Sequence, residues 1–589
     1  MKQHPWNLDV AAGRLQSLLR QDKRPLSAFL PGQMGVSLVT LANEIYAHEQ
    51  HVIRRAGIPI SSVVPYVPGE NVRNWSWDWR ELAIFPYNSD HSVRKYGRAS
   101  PEMRWFEAFR EKLEGRVYFG QTQIERSLEW YEYGIVVWQN CDNPNKLIFA
   151  DLATHAHFVR VPDLAAFNQH TPVLAIRGGS REEDLHLIAA LVNSSTALFL
   201  LKQVCYNRGA GEDEHRDRFE FMGGKVQELP VPPVVAISLS GQPSKPGEEL
   251  ICLAHACWNA GQRIPELNLR ALYTLSGEAY EPWNRSLPFW QRHSPEPFHD
   301  AKALRISLKA LIQMRDGIRS QMIALQEEMD WLVYVAYGLL PEDHPAARAE
   351  AKPAPLEREQ RLFVLWAETE GKYDDAVKLI PKDWSAARKK LWEVRLAAIR
   401  DNEHIRRIEQ PVYKRRWDEQ WKVGNQWRCG PIAYAAEFVD AFEWWLREKA
   451  EWWLEHKKNG GPAEFEEWAQ ALWKDARVQA AWPVAAEEYA RLAYEKAREK
   501  AEENGEPAPS PAPPAADLAS FKQTFHEIAD EETVPEGFPF GTPYDELEKK
   551  LKRPIPGKLR KVRGKLNVPR ERFHLRGKSQ YLWAGLQFK

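Results

Sequence analysis

Residues Pro297–Tyr337 read PFHDAKALRISLKALIQMRDGIRSQMIALQEEMDWLVYVAY. Apolar side chains recur in this stretch at steps of mainly three and four residues: Leu304, Leu308, Leu311, Ile318, Met322, Leu325, Met329 and Leu332. This spacing predicts one long helix with a coiled-coil-like seam. Because such a seam must be covered, we expect it to pack either inside this chain or against a partner protein.

The sequence before this helix has a different pattern. Between about Ile58 and Pro233, short apolar runs alternate with turn residues, which predicts a mixed α/β domain. The predicted strands are Ser62–Val67, Leu82–Phe85, Val117–Phe119, Ile135–Trp138, Leu147–Phe149, His157–Val161 and Val173–Ile176. One helix is predicted to follow, from Glu183 to Gln203, since leucines recur there near helical spacing.

The first 52 residues predict a helix, a break at Pro31-Gly32, and a second amphipathic helix that starts near Ser37. Residues Leu356–Lys500 predict further helices and contain thirteen of the 25 tryptophans. Tryptophans at helical spacing are more often core residues than a platform for stacking bases, and we interpret them as core. Glu502–Asp517 is rich in Pro and Ala, which predicts a linker.

The predicted fold class is therefore α+β. A mixed α/β domain precedes a mainly helical region with a long coiled-coil-like helix and a basic C-terminal tail. The predicted segments are a helical connector (1–57), the mixed domain (58–235), a helical spacer (236–345), a Trp-rich helical domain (346–501), the linker (502–517) and the tail (518–589).

Charge is strongly segregated in this chain. The net charge is only −1, yet Lys549–Lys578 holds thirteen Lys or Arg against one acid. Such a tail can contact phosphates, or it can clamp another surface of the same protein. No apolar run reaches the ~20 residues of a membrane span, and the first residues lack the apolar core of a signal peptide. We expect a cytoplasmic protein with no membrane partner.

Few residues are arranged for catalysis or metal binding. The five cysteines are scattered, and Cys252 and Cys257 with His255 between them lack two further zinc ligands, which favours core cysteines on a helix. Thr154-His155-Ala156-His157 also lacks a third ligand. The only Pro-Pro pairs, Pro232-Pro233 and Pro513-Pro514, lack the neighbours of an adenine-methylating loop, and no strand-Gly-x-Gly-helix unit is present. We expect no metal, no cofactor and no catalytic residue in this chain.

Several motifs nevertheless carry a resemblance to a known family. They are Val67–Trp75, Ile84–Tyr87, Gly120–Thr122, Trp130–Tyr133, Ala153–Val159, Leu191–Ala197, Leu201–Val204, Phe219–Pro232, Glu328–Tyr334, Tyr337–Leu339, Ile408–Trp417 and Arg563–Phe573. In this order they resemble the target-recognition and helical half of BREX (PglX-type) and DISARM adenine methyltransferases, which are related to type IIG and Eco57I-like enzymes.

The resemblance implies a DNA target-recognition subunit, or half, of a split adenine-N6 methyltransferase in phage defence. Its expected partners are double-stranded DNA, a catalytic subunit that binds S-adenosylmethionine, and other phage-defence proteins. Two alternatives stay open. One is an interaction scaffold of a defence complex without base reading, and the other is the specificity module of a restriction nuclease.

Target reading requires phosphate contacts and side chains that reach base edges, commonly Arg, Lys, Asn and Gln. The candidates are turn residues of the mixed domain: Arg73, Asn74, Trp75, Lys202, Gln203, Asn207, Arg208, His215, Arg216, Arg218 and Lys225. The stretch Asn207–Arg218 is polar and glycine-containing, and it is either a loop that orders on DNA or a solvated surface loop. Asn193–Thr196 and Phe219–Phe221 are predicted to hold the fold.

Overall fold

The computed structural model describes residues 10–530, apart from 31–33, 50–52, 54–55, 74, 108, 177–180, 210–216, 243, 273–297, 349, 351, 418–419, 424–425, 458–464, 508–509 and 511–514. The architecture is α+β, as the sequence predicts. Small sheets form the first part, and helices dominate after Pro233. The basic tail Lys549–Lys578 lies outside the described residues.

The first part combines short strands with short helices. Its helices are Val10–Arg20, Asn43–Tyr46, Pro101–Glu107, Arg110–Glu114, Trp138–Cys141, Glu182–Val192, Ser195–Val204 and Gly223–Gln227. The helices that follow are Pro233–Leu239, Lys245–Gly261, Arg263–Glu266, Ala301–Ala336, Leu362–Glu368, Tyr373–Lys378, Ala386–Asp401, Glu403–Ile408, Pro431–Lys457, Phe465–Trp473, Ala476–Asn504 and Leu518–Asp530.

Two four-stranded sheets form the frame of the mixed region. In one, strands stand in the order Phe158–Arg160, Lys146–Phe149, Val173–Ala175 and Met34–Gly35, all antiparallel. In the other the order is Ala166–Phe167, Val63–Val67, Glu81–Ile84 and Ala47–Glu49, with the first pair parallel. Smaller ladders involve Arg24–Pro25, Leu38–Val39, Val72–Arg73, Ser76–Trp77, Val117–Tyr118, Gln121–Thr122, Ile135–Val136, Leu152–Ala153, Tyr206–Gly209, Arg218–Glu220, Pro230–Val231, Gln420–Val423 and Gln426–Cys429.

The seven predicted strands are all confirmed, with ends that shift by one or two residues. The predicted second helix of the first 52 residues is wrong. Only Asn43–Tyr46 is helical there, and Ala47–Glu49 pairs with Glu81–Ala83 as an edge strand. Ala47 and His48 are buried in this sheet. Pairing with a distant strand therefore overrides the local helical spacing.

The predicted single helix Glu183–Gln203 is also wrong, because two helices meet there at a bend of 63°. Ser194 caps the second helix, since its hydroxyl accepts a hydrogen bond from the Ala197 amide at 3.1 Å. The Asn193 side chain pairs with both backbone groups of Phe158, at 3.0 and 2.8 Å. These local polar contacts end the first helix and start the second.

The long helix is confirmed as Ala301–Ala336. Its apolar seam is covered within the chain, because Lys245–Gly261 and Ala476–Asn504 both pack along it. The core interpretation of the tryptophans is confirmed for those that are described as buried: Trp392, Trp417, Trp444, Trp445, Trp468 and Trp482. The helix Lys245–Gly261 buries Cys257 but leaves Cys252 exposed, so the prediction of two core cysteines is correct for Cys257 alone.

Among the described residues, no single helix is long and apolar enough to cross a membrane. The bent pair Glu182–Val192 and Ser195–Val204 passes that test only when its two helices are taken together. Most side chains of this pair are buried against the rest of the protein.

Candidate nucleic-acid interface

Three short strands carry most of the exposed candidate residues. Leu152–Ala153, Arg218–Glu220 and Tyr206–Gly209 form a three-stranded antiparallel sheet with Arg218–Glu220 in the middle, which we call the exposed sheet. The register shifts between Asn207 and Gly209, and Gly209 adopts a positive φ of 67°. Such a bulge twists a strand and redirects its side chains.

Arg208 is the best-ordered cation of the exposed sheet. Its Nε donates to Glu220 Oε2 across the strands at 2.9 Å, and its guanidinium lies 4.9 Å from the centre of the Tyr206 ring. Tyr206 itself is 49% exposed. Because an exposed ion pair contributes little to stability, the contact with Glu220 orients Arg208 without preventing exchange onto a phosphate or base edge.

Three further candidates lie close to Arg208 in sequence. The Asn207 amide donates to Asp217 Oδ2 at 2.6 Å, and Lys225 lies 3.5 Å from Glu228. Arg218 is exposed, and the structure gives it no ion pair with another described residue. The exposed sheet thus presents an arginine that is available to a new anionic partner.

Trp75 lies in the core instead of on a surface. It is 1% exposed, and its indole Nε1 donates to Gln326 Oε1 of the long helix at 2.8 Å. Its neighbour Arg73 turns back on its own loop, where Nη1 donates to the carbonyls of Gly69 and Val72 at 3.1 and 2.7 Å. Burial lowers the pKa of Arg73. These contacts hold the loop against the helical region.

Lys202 and Gln203 also face the helical region. Lys202 is buried, and its Nζ donates to the carbonyl of Val412 at 2.8 Å while lying 4.8 Å from the Phe219 ring centre. Burial lowers the pKa of Lys202 to about 8. The Gln203 amide reaches the Tyr413 hydroxyl at 3.4 Å. Asn74, His215 and Arg216 lie outside the described residues.

A buried cluster of charges joins the mixed region to the helices. Lys414 Nζ donates to Glu327, Asp330 and Glu409 at 2.9, 2.8 and 3.0 Å, and all four side chains are at most 1% exposed. Burial alone would raise the pKa of Glu327, but Lys414 and then Arg361 outweigh it and hold this pKa at about 2. Burial raises the pKa of Glu409. We call this cluster, together with the neighbouring Arg361 and Arg415, the buried junction.

Arg415 connects the buried junction to the mixed region. Its guanidinium contacts His157 Nδ1 at 2.7 Å, the Ala156 carbonyl at 2.9 Å and Asn193 Oδ1 at 2.8 Å. His155 and His157 are buried, and burial followed by nearby cations lowers the pKa of both well below its ordinary value. The two imidazoles are therefore neutral near pH 7 and serve in packing and hydrogen bonding.

Asp330 completes the connection, because it accepts hydrogen bonds from the Ser195 amide at 2.9 Å and the Ser195 hydroxyl at 2.6 Å. The prediction that Asn193–Thr196 holds the fold is confirmed. Four of the motifs that carry the family resemblance thus meet at one place: Ala153–Val159, Leu191–Ala197, Glu328–Tyr334 and Ile408–Trp417. Their shared chemistry is buried ion pairing, and it contains no exposed reactive group.

A second hairpin escaped the sequence analysis. Val117–Tyr118 pairs with Gln121–Thr122, and the turn between them places Phe119 at 90% exposure with Val117 and Ile124 also exposed. Phe119 and Gly120 have positive φ values of 48° and 81°. The signal in the sequence is an aromatic residue beside a turn glycine, since a hairpin turn of this type leaves its central side chains in solvent.

Comparisons with known proteins agree with this arrangement. Residues 322–498 match a family model described as a domain of unknown function, DUF7008. The chain is 28% identical over 449 residues, 71% of its length, to the adenine-specific methyltransferase PglX of Streptomyces coelicolor. It is related to PglX-type methyltransferases. The matched region represents 33% of the Streptomyces protein, so the chain spans about a third of that relative's length.

The match to DUF7008 begins inside the long helix and contains the junction residues Glu327, Asp330 and Lys414. The domain of unknown function is therefore the helical side of the buried junction. Its partner across the junction is the mixed region that carries the exposed sheet.

Proposed function

We propose that this chain is the DNA target-recognition part of a site-specific adenine-N6 methyltransferase of a bacterial phage-defence system. It acts with a catalytic subunit that binds S-adenosylmethionine. The observation that carries the proposal is the similarity to the adenine-specific methyltransferase PglX over 449 residues. The sequence contains no adenine-methylating Pro-Pro loop, which is why the proposal assigns the reaction to another polypeptide.

The exposed sheet is the proposed contact with DNA. Arg208 and Arg218 stand on adjacent strands of one sheet, and Asn207 lies beside them. Arginine can bond guanine O6 and N7 in a bidentate manner, and Asn can do so with adenine N6 and N7. A twisted ribbon of strands fits the width of a major groove. The buried junction supplies the rigid support that a site of this kind needs.

A titration of DNA oligonucleotides with the purified chain tests the proposal. We expect specific binding that weakens steeply with salt, because phosphate contacts release counterions. Arg208→Gln and Arg216→Gln should each lower the affinity, with Lys382→Gln on a distant loop as the matched control. Unchanged affinity in both variants would remove the exposed sheet from the interface.

Calorimetry with S-adenosylmethionine tests the second half of the proposal. The isolated chain should give no binding heat, while its mixture with the catalytic subunit should. A signal from the isolated chain would contradict the division of labour between two polypeptides.

The exposed hairpin around Phe119 favours a second candidate, the interaction scaffold. Exposed apolar side chains on a rigid turn are typical of protein contacts, although an apolar wedge can also enter a base step. Phe119→Ser separates these functions. The scaffold predicts loss of a protein partner in co-purification and binding to DNA without sequence preference.

A further inference from the structure

One cluster of side chains contains metal-binding groups that no other function uses. Glu182 and His186 lie one turn apart on the helix Glu182–Val192, and His255 faces them from Lys245–Gly261. One ligand atom from each of the three lies within 4.8 Å of the other two. The spacing along the sequence hides this site, because His255 comes from a helix that packs against the first one only in the folded chain.

His186 is the member of the cluster that a folded protein would otherwise satisfy with a hydrogen bond. Its side chain is 4% exposed, and its Nε2 is buried without a hydrogen-bond partner. The nearest acceptor is Glu182 Oε1 at 3.5 Å, and the His255 ring centre lies 4.8 Å away. A buried unsatisfied nitrogen costs about 1–3 kcal/mol, and bonding to a metal ion would satisfy it.

The surroundings suit a metal-binding imidazole. Asn259 Nδ2 lies 3.2 Å from His255 Nε2, and an outer polar partner of this kind orients the ring. Trp258 lies close to both imidazoles, with ring centres 5.8 Å from His186 and 6.4 Å from His255. Arg160 pairs with Glu182, so it holds the carboxylate in place and must release it when an ion binds.

We propose that Glu182, His186 and His255 form a binding site for a divalent transition-metal ion, with Zn²⁺ as the best match. Two imidazoles and one carboxylate suit Zn²⁺ better than Mg²⁺ or Ca²⁺. Glu182 and His255 are exposed, so solvent supplies the fourth ligand of a tetrahedral site. The ion would clamp the helix Glu182–Val192 to Lys245–Gly261 and stabilise the contact between the mixed region and the spacer helices.

The test is titration of the metal-free full chain with Zn²⁺ by calorimetry, and with Co²⁺ by visible absorption. We expect one ion per chain, a tetrahedral Co²⁺ spectrum and a higher melting temperature with Zn²⁺. His255→Ala should lower the affinity by at least about 100-fold, whereas loss of the outer partner in Asn259→Ala should lower it about 10-fold. The exposed His299 gives the matched control, His299→Ala.

His255 is exposed, so its replacement tests the site even if His186→Ala fails to fold. Absence of binding by the wild-type chain would overturn the proposal. So would wild-type affinity in His255→Ala, because the ion would then be bound elsewhere.

Discussion

The buried junction and the exposed sheet use similar charged residues for opposite purposes. In the junction, Lys414 is surrounded by three carboxylates without access to water. On the exposed sheet, Arg208 has one carboxylate partner and Arg218 is open to solvent. Burial makes the first set of charges essential to the fold, while exposure leaves the second set free to exchange partners. The comparison separates residues that hold the protein from residues that can bind DNA.

The largest expected effect comes from removing the cation of the junction. Lys414→Met leaves Glu327, Asp330 and Glu409 buried beside one another without Lys414, and breaking a buried ion pair costs about 3–5 kcal/mol. Denaturant unfolding measures this loss. Lys390→Met is the matched control, since that side chain is 74% exposed, and it should change stability by less than about 0.5 kcal/mol. Equal stability of the two variants would contradict the structural function of the junction.

Trp75 gives the next effect. Trp75→Phe keeps an aromatic ring but leaves the Gln326 side chain without its indole donor, which should cost about 1–3 kcal/mol. The same variant should bind DNA as tightly as the wild-type chain, because the ring is buried against the long helix. Weakened DNA binding at unchanged stability would place Trp75 at the interface instead.

The buried histidines predict a dependence of stability on pH. His157 has a pKa well below its ordinary value of 6.5 in the folded chain because it is buried, so only the unfolded chain takes up its proton near pH 6. The contribution of His157 is fully present above pH 6.5 and falls as the pH decreases, by up to about 1.4 kcal/mol per pH unit. His157→Gln should flatten this slope in unfolding measured from pH 7.5 to 5.5. An unchanged slope would contradict burial of a neutral imidazole.

The smallest expected effect on the fold, but a specific one on binding, comes from the exposed sheet. Arg218→Gln should leave stability within about 0.5 kcal/mol. It should reduce the slope of log affinity against log salt by about 1, as expected for one lost phosphate contact. Fluorescence anisotropy at several salt concentrations checks this, with Lys225→Gln as a second position whose partial pairing with Glu228 predicts a weaker change. A slope that neither change alters would separate the sheet from DNA.

The sequence predicted the elements whose pattern is long or local. The long helix and the seven strands follow from periodicity, because each pattern is set by burial of one face. The bend at Asn193-Ser194 was missed because leucine spacing continues across it, while the contacts that cause it come from Phe158 and Ala197. The edge strand Ala47–Glu49 was missed for the same reason, since its partner is Glu81–Ala83.

Residue type alone could not separate buried from exposed candidates. Lys202 and Arg208 both looked suited to DNA, yet Lys202 is buried against Val412 whereas Arg208 stands on the exposed sheet. The metal-ligating cluster was invisible for a related reason, because His255 and His186 are brought together only by helix packing. Long-range packing therefore decides which polar residues can act at a surface.

A map of N6-methyladenine in the DNA of cells that contain this chain and the catalytic subunit tests the central claim most directly. With the wild-type chain, methylation should fall on one short sequence motif. With the combined Arg208→Gln and Arg218→Gln changes, methylation of that motif should be lost or its sequence preference altered, while the chain keeps its melting temperature. An identical methylation map for the wild-type chain, the double variant and cells without the chain would contradict the account.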